Sequence, residues 1–401
     1  MYNISAFLLR LPPSKFCDTT NIRDIDAKTM KGGEKMTKKR LIYAVLSGAA
    51  SLAFALAPAM AATASNETTG ADSDNDASVD IDNDVNIFQD NNLDVDNHIH
   101  IDSDTGNNSA NENTGDGSVS TGNAGAGVSV STSGNSNSLS MSGNGGGDLS
   151  ASNETTGADS DNEAEVEVEN DVDVTQLNDA DVDNCVHIDA ETGDNSADEN
   201  TGDGSVETGD ADVEVSIESD LNENELEIDG LGGGELSASN SETGADSENE
   251  AEVEIDNDVE ILQDNDLDVD NHLWIDAETG DNSADENTGD GSVETGDAEV
   301  DVEIATSGNS NDAEVDASMD EDFEASNETT GADSDNEAEV EVENDVDVTQ
   351  KNDSDVDNDG DVDADSGDNS SDENTGDGEV DAGDSDVEVE ISTEVNSNSL
   401  D

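Results

Sequence analysis

The stretch Ile188 to Ala211, IDAETGDNSADENTGDGSVETGDA, recurs without change at Ile275 to Ala298. Looser versions sit at Ile101 to Ala124 and Val362 to Ala382. The marker glycines Gly70, Gly157, Gly244 and Gly331 are each 87 residues apart, with no insertion or deletion between them. A repeat this strict confines the chain to a tandem array, in which each copy buries its apolar face against its neighbours.

The array has an N-terminal preface. Residues 1–35 differ from everything that follows and read as an untranslated leader. One codon choice for Lys31-Gly32-Gly33-Glu34-Lys35 is a purine-rich ribosome-binding site ahead of Met36, the alternative being a genuine N-terminal extension. Residues 36–61 have the order of a secretory signal: basic Lys38-Lys39-Arg40, apolar Leu41 to Ala57, then the cleavage motif Ala59-Met60-Ala61, with Ala62-Thr63-Ala64 as an alternative. The apolar run is Ala-rich, short for a span and ends in a cleavage motif, so cleavage is expected rather than an anchor. No second apolar run follows, so the mature chain is expected to carry no membrane span. Four repeats remain, at 62–152, 153–239, 240–326 and 327–401, the last truncated. Gly143 to Ser152 and Gly230 to Ser239 are Gly-rich joints between them.

Within a repeat the residues alternate. From Ala164 to Val174 the even positions are Ala, Val, Val, Asn, Val, Val and the odd ones are all acidic. This is a strand with one apolar face and one acidic face, its apolar side built from β-branched residues. The register returns at Ala77 to Ile87, Ala251 to Ile261 and Ala338 to Val348. A second strand is expected at Ala180 to Ala190 and a third from Ala211. Thr-Gly, Asp-Gly, Asn and Asp clusters supply the turns. The fold class is therefore all-β, a β-solenoid or stacked β-modules. Each copy divides into two related halves, each of about two rungs of roughly 20 residues. Asn83, Asn170, Asn257 and Asn344 are polar at an inward position in every copy. A buried amide is costly unless bonded, and a stacked coil bonds it to the equivalent Asn above; a bulge or strand end would serve too.

Composition narrows the function. The formal net charge is −97, and Lys351 is the only base beyond Arg40, so the exported part is more acidic still. Such a chain repels nucleic acid and anionic membranes. With Cys17 in the leader, Cys185 has no intrachain partner, which excludes a disulfide framework. Aromatic residues make up 2% of the chain, poor material for an apolar substrate pocket, and carboxylates are too common for any pair to point to acid–base catalysis. No enzymatic activity is expected.

The core Gly193-Asp194-Asn195-Ser196-Ala197, with Asn200 after it, is similar to part of the curlin repeat. The Gln and aromatic positions of that repeat are missing. The resemblance implies stacked strand–turn–strand rungs and an extracellular matrix or adhesive role. The glycine-rich nonapeptide of calcium-binding toxin repeats is not matched.

Candidate metal ligands fall in two places. Asp355, Asp357, Asp359 and Asp361, with Gly360, resemble the first positions of an EF-hand or dockerin calcium loop. Position twelve is Ser366, the flanks alternate as strands, and Val186 and Leu273 replace Gly360 in the sister copies. An EF-hand is thus disfavoured, and a simpler Ca²⁺ site of the four aspartates is expected. His98 and His100 lie two apart on the outward face and suit the start of a Zn or Cu site. The aligned residues Cys185 and His187, His272 and Trp274, Asp359 and Asp361 interchange as at a solvated surface. Asn66-Glu67-Thr68, Asn153-Glu154-Thr155 and Asn327-Glu328-Thr329 fit the glycosylation acceptor pattern, a weak signal here.

The expectation is an exported acidic repeat protein with a structural or adhesive role at the cell surface or in the extracellular matrix, supported by bound divalent cations. Its partners would be those cations and either further copies of itself or a surface receptor. The alternative is a largely disordered protein that sequesters Ca²⁺ or modulates mineral growth. A third reading is that the acidity reflects a high-salt habitat.

Overall fold

The computed structural model describes residues 30–31, 36–47, 50–56, 61–143, 148–230, 234–316 and 322–401. Most of the leader, and Ala59-Met60 of the cleavage motif, lie outside the described residues, as does Cys17.

The two-residue alternation runs further than the turn signals suggest. Ala164 to Val174 and Ala180 to Ala190 are not two strands but parts of one, Asp161–Glu191, and its buried positions alternate with outward ones along its whole length. The intervening Gln176 and Asn178 resemble turn residues in sequence, yet they sit at even positions and point inward, fully buried. The strand pairs in parallel with Asp74–Asp104 on one side and Glu248–Glu278 on the other, and the latter with Asp335–Asp365. Every pairing joins residues 87 apart: Val166 meets Val79 and Val253. One coil therefore takes a whole 87-residue copy, not about 20 residues.

Each coil is a flattened loop of two layers. At about 3.3 Å per residue, the long strand spans roughly 100 Å. Opposite it lie a return strand (Ala124–Gly143, Ala211–Asp229, Ala298–Asp316 and Ser385–Leu400) and a short strand (Ala62–Glu67, Leu149–Glu154, Leu236–Ser241 and Phe323–Glu328). Leu149 and Ala151 cover Ala164 and Val166 at one end of the long strand. Leu226 and Ile228 cover Val172 and Val174 in the middle, and Val213 and Val215 cover Val186 and Ile188 at the other end. A lobe with the strands Asn195–Ser196 and Gly204–Glu207 closes the far turn over its own small core, Ala197 and Val206.

The marker glycines hold the opposite turn. A Cβ on Gly157 would meet backbone atoms of Gly70 and Ala71 at 2.3 Å, and one on Gly244 would meet Gly157 and Ala158 at 2.4 Å. Only glycine lets successive turns stack at this spacing.

Amide ladders bind the coils through the interior. Asn83 Nδ2 donates to Asn170 Oδ1 at 2.7 Å and Asn170 Nδ2 to Asn257 Oδ1 at 2.6 Å, and Asn257 continues the chain to Asn344. The inward Asn is thus a ladder and not a bulge. Gln176 donates to Gln89, Gln263 to Gln176 and Gln350 to Gln263, each at 2.8 Å. Asn178 bridges the two layers as well, accepting from Asn137 at 3.0 Å and donating to Asn224 at 2.9 Å. These laddered amides, which would cost about 1–3 kcal/mol each if unpaired, are satisfied by their own repeats, while Asn91 Oδ1 and Asn287 Nδ2 are buried without a partner among the described residues.

The backbone of Met36–Ser47 runs parallel along Val79–Asp90, and that of Ala50–Leu56 along Asn137–Gly143, on the N-terminal edge of the first coil. No helix among the described residues is long and apolar enough to cross a membrane.

Candidate functional site: the acidic outer face

Strand pleating sends the odd positions of the long strand outward, and the 87-residue register stacks like upon like. Glu163 lies between Asp76 and Glu250, Asp171 between Asp84 and Asp258, and Asp181 between Asp94 and Asp268. Strand spacing puts such neighbours about 4.8 Å apart, closer than the roughly 7 Å between same-face residues along one strand. The carboxyls respond. Glu163, Asp171, Asp181, Glu252, Asp268 and Asp276 are all raised above the usual carboxylate range, first by burial and then by neighbouring acids. Glu278 is pushed up to about 7 by burial, then by Glu191, Asp276, Asp281 and Asp365.

Asp355, Asp357, Asp359 and Asp361 lie in the straight strand Asp335–Asp365 and all point outward. Set in a line, they span roughly 20 Å at about 7 Å per step, too far to surround one ion. Their close neighbours lie across the sheet: Asp355 beside Asp268, Asp357 beside Asp270, Asp359 beside His272 and Asp361 beside Trp274. Gly360 occupies an ordinary inward position rather than a loop turn; a Cβ there would meet Leu273 Cβ at 3.7 Å. Among the described residues no three His, Cys, Asp or Glu side chains are gathered about one point.

The histidines are drawn together. Cys185 pairs with His98 and His272, and His187 with His100 and Trp274, so two neighbouring columns hold every histidine in the chain. The rings of His100 and His187 stack with centroids 4.8 Å apart. His98 Nδ1 sits 2.7 Å from Asp96 Oδ1. The aligned positions were visible in the sequence. Their side-by-side contact depended on coils one full repeat long.

The glycosylation pattern is spent internally. Asn153 is fully buried, and its Nδ2 donates to Glu163 O at 2.7 Å and to Asn240 Oδ1 at 2.9 Å. Asn66 is likewise buried and bonded to Asn153 at 2.9 Å, leaving no room for a glycan at either in the folded chain.

No protein-family model, curated protein or solved structure matches the chain. In the fragment that resembles the curlin repeat, Asn195 and Asn200 are buried ladder residues, Ala197 is core, and Gly193 takes a φ of 77°. A Cβ on Gly193 would meet the backbone of Gly106 at 2.7 Å.

Proposed function

We propose that this chain is an exported, non-enzymatic structural protein that stacks on further copies of itself, fourth coil onto first coil, at the cell surface or in the extracellular matrix, with cations between its carboxylate columns. The observation that carries this reading is the register: every pair of successive coils matches residue for residue at the 87-residue step, and the edges of the first and fourth coils match by the same rule. Among the described residues the fourth coil's inward Val340, Val342, Val387 and Val389, with Ile391, are 42–50% exposed, whereas their counterparts Val166, Val168, Val213, Val215 and Ile217, covered by a coil on each side, are buried.

The first coil of a second copy fits that edge. One further 87-residue step brings its Val79 onto Val340, Asn83 onto Asn344 and Val128 onto Val389. Asn91 supplies an acceptor, since its Oδ1 is buried without a partner among the described residues and Asn352 would be the next donor in that ladder. Along the long strand the match sets acid on acid, as with Asp80 on Glu341 and Asp94 on Asp355, where cations would lie between them, but the return strand avoids this. Asp386, Glu388, Glu390 and Glu394 would overlie Gly125, Gly127, Ser129 and Ser133, and Lys351 would stand beside Asp90. Removal of residues 36–61 would free the first coil's edge, so that assembly follows export. A closed, laddered coil favours this reading over a disordered ion-sequestering chain.

The test is a cysteine pair, Asp94→Cys with Asp355→Cys in a Cys185→Ser background, on the chain beginning at Ala62. Within one chain these positions are three coil steps, about 14 Å, apart, beyond the reach of a disulfide. Oxidation in 1 M NaCl is expected to give a ladder of covalent oligomers. The out-of-register pair Asp102→Cys with Asp355→Cys should give none. Monomers throughout, or equal linking by both pairs, would overturn the reading.

A further inference from the structure

We propose that His98, His100, Cys185 and His187 bind one divalent transition-metal ion, and that Zn²⁺ is the ion their donor set fits. On a face built mostly of carboxylates, three imidazoles and a thiol occupy the four corners of one rectangle. Its short side is the spacing of in-register strands, about 4.8 Å, and its long side is two residues along a strand, about 7 Å. An imidazole or thiol at each corner has the length to converge above the centre.

The donor types point away from calcium. Ca²⁺ takes oxygen ligands, whereas imidazole nitrogen and thiolate in a four-donor set suit tetrahedral Zn²⁺. The rest of the face holds oxygen donors in abundance, so this patch is chemically distinct within it. Asp96, Asp102, Asp183 and Asp189 flank it and raise the local concentration of cations.

A second observation concerns orientation. His98 already has Nδ1 2.7 Å from the Asp96 carboxylate, which leaves Nε2 outward. A carboxylate on the far nitrogen is the usual support of a metal-binding histidine, fixing its tautomer and raising its basicity. The stacked rings of His100 and His187 bring a second and third imidazole within one strand spacing of each other. As the rings stand they lie face to face, so coordination turns them about their side-chain bonds. His98, His100 and His187 are exposed and free to do so, and Cys185 is half-buried beside them.

The experiment uses the full chain with millimolar Ca²⁺ present to fill carboxylate sites. Co²⁺ is titrated as the spectroscopic probe and then displaced by Zn²⁺, and alkylation of Cys185 is followed by peptide mass mapping. One equivalent of Co²⁺ is expected to give a tetrahedral spectrum with a thiolate band, and one equivalent of Zn²⁺ to abolish it and protect Cys185. His100→Ala and His187→Ala should each weaken binding by more than the roughly 10–100-fold that loss of a supporting partner costs. Cys185→Ser should remove the thiolate band, and Asp96→Asn should weaken affinity within that 10–100-fold range. All four changes lie on the solvent face, so dichroism should stay unchanged. Weak, octahedral Co²⁺ binding that is the same in every variant, or alkylation of Cys185 indifferent to Zn²⁺, would overturn the proposal.

Discussion

At the scale of single residues, the fold depends on amides that no local propensity rewards. Asn178 accepts from Asn91 at 2.8 Å and from Asn137 at 3.0 Å, and donates to Glu223 O, Asn224 and Asn265. Replacing it by Ala strands several buried polar groups at once, at about 1–3 kcal/mol each. Asn178→Ala is therefore expected to destabilise the chain by roughly 3 kcal/mol, read as a fall in the denaturation midpoint. Asn92→Ala is the control. Its Nδ2 contacts Asp179 at 3.2 Å on the solvent face, and its loss should cost no more than about 0.5 kcal/mol. Equal effects of the two changes would mean that the interior ladders contribute nothing beyond ordinary surface contacts.

At the scale of the strand, Gly360 separates a calcium loop from a coil. In a loop of the EF-hand kind the sixth position needs glycine, and a bulky residue there would ruin the site. In the strand, the same residue continues the inward column of Ile99, Val186 and Leu273. Gly360→Val is expected to stabilise the last coil by about 0.5–1 kcal/mol, seen as slower hydrogen exchange in Asp335–Asp365. The contrast also marks what was legible in the chain. Strand identity, the inward and outward faces and the Asn170 ladder follow from alternation and period alone. Coil length does not, because Gln176 and Asn178 have the composition of a turn, and only parallel pairing over a full repeat shows them to be interior. The contact of Cys185 and His187 with His98 and His100 was hidden for the same reason, since these neighbours are one whole coil away in sequence, although the outward, solvated face itself was legible.

At the scale of the whole molecule, the acid columns oppose the ladders and the valine core. Two unit charges about 4.8 Å apart repel by roughly 0.9 kcal/mol even in water, and columns of them recur across the long sheet. Net stabilities of domains are only about 5–15 kcal/mol, so this repulsion competes directly with the fold. Glu278, raised to about 7, and Glu163, Asp171, Asp181, Glu252, Asp268 and Asp276, raised as well, hold protons more tightly folded than unfolded. Such groups contribute stability that is full below their unfolded pKa and is lost as pH rises through the folded one. The window for Glu278 runs from the ordinary Glu value of 4.5 up to about 7. In chelator at low ionic strength, the denaturation midpoint is therefore expected to be higher at pH 4.5 than at pH 8, the reverse of common acid unfolding. Glu278→Gln should flatten part of that slope. Salt acts on the same term. The Debye length is about 10 Å at 0.1 M and about 3 Å at 1 M, so only molar salt screens charges at strand spacing. Millimolar Ca²⁺ held between facing carboxylates should do the same at far lower concentration. Dichroism and protease resistance at pH 8 should thus rise with NaCl toward 1 M, or on adding Ca²⁺, and fall in chelator without salt. A midpoint independent of pH, salt and chelator would mean that the ladders and the core outweigh the charge unaided.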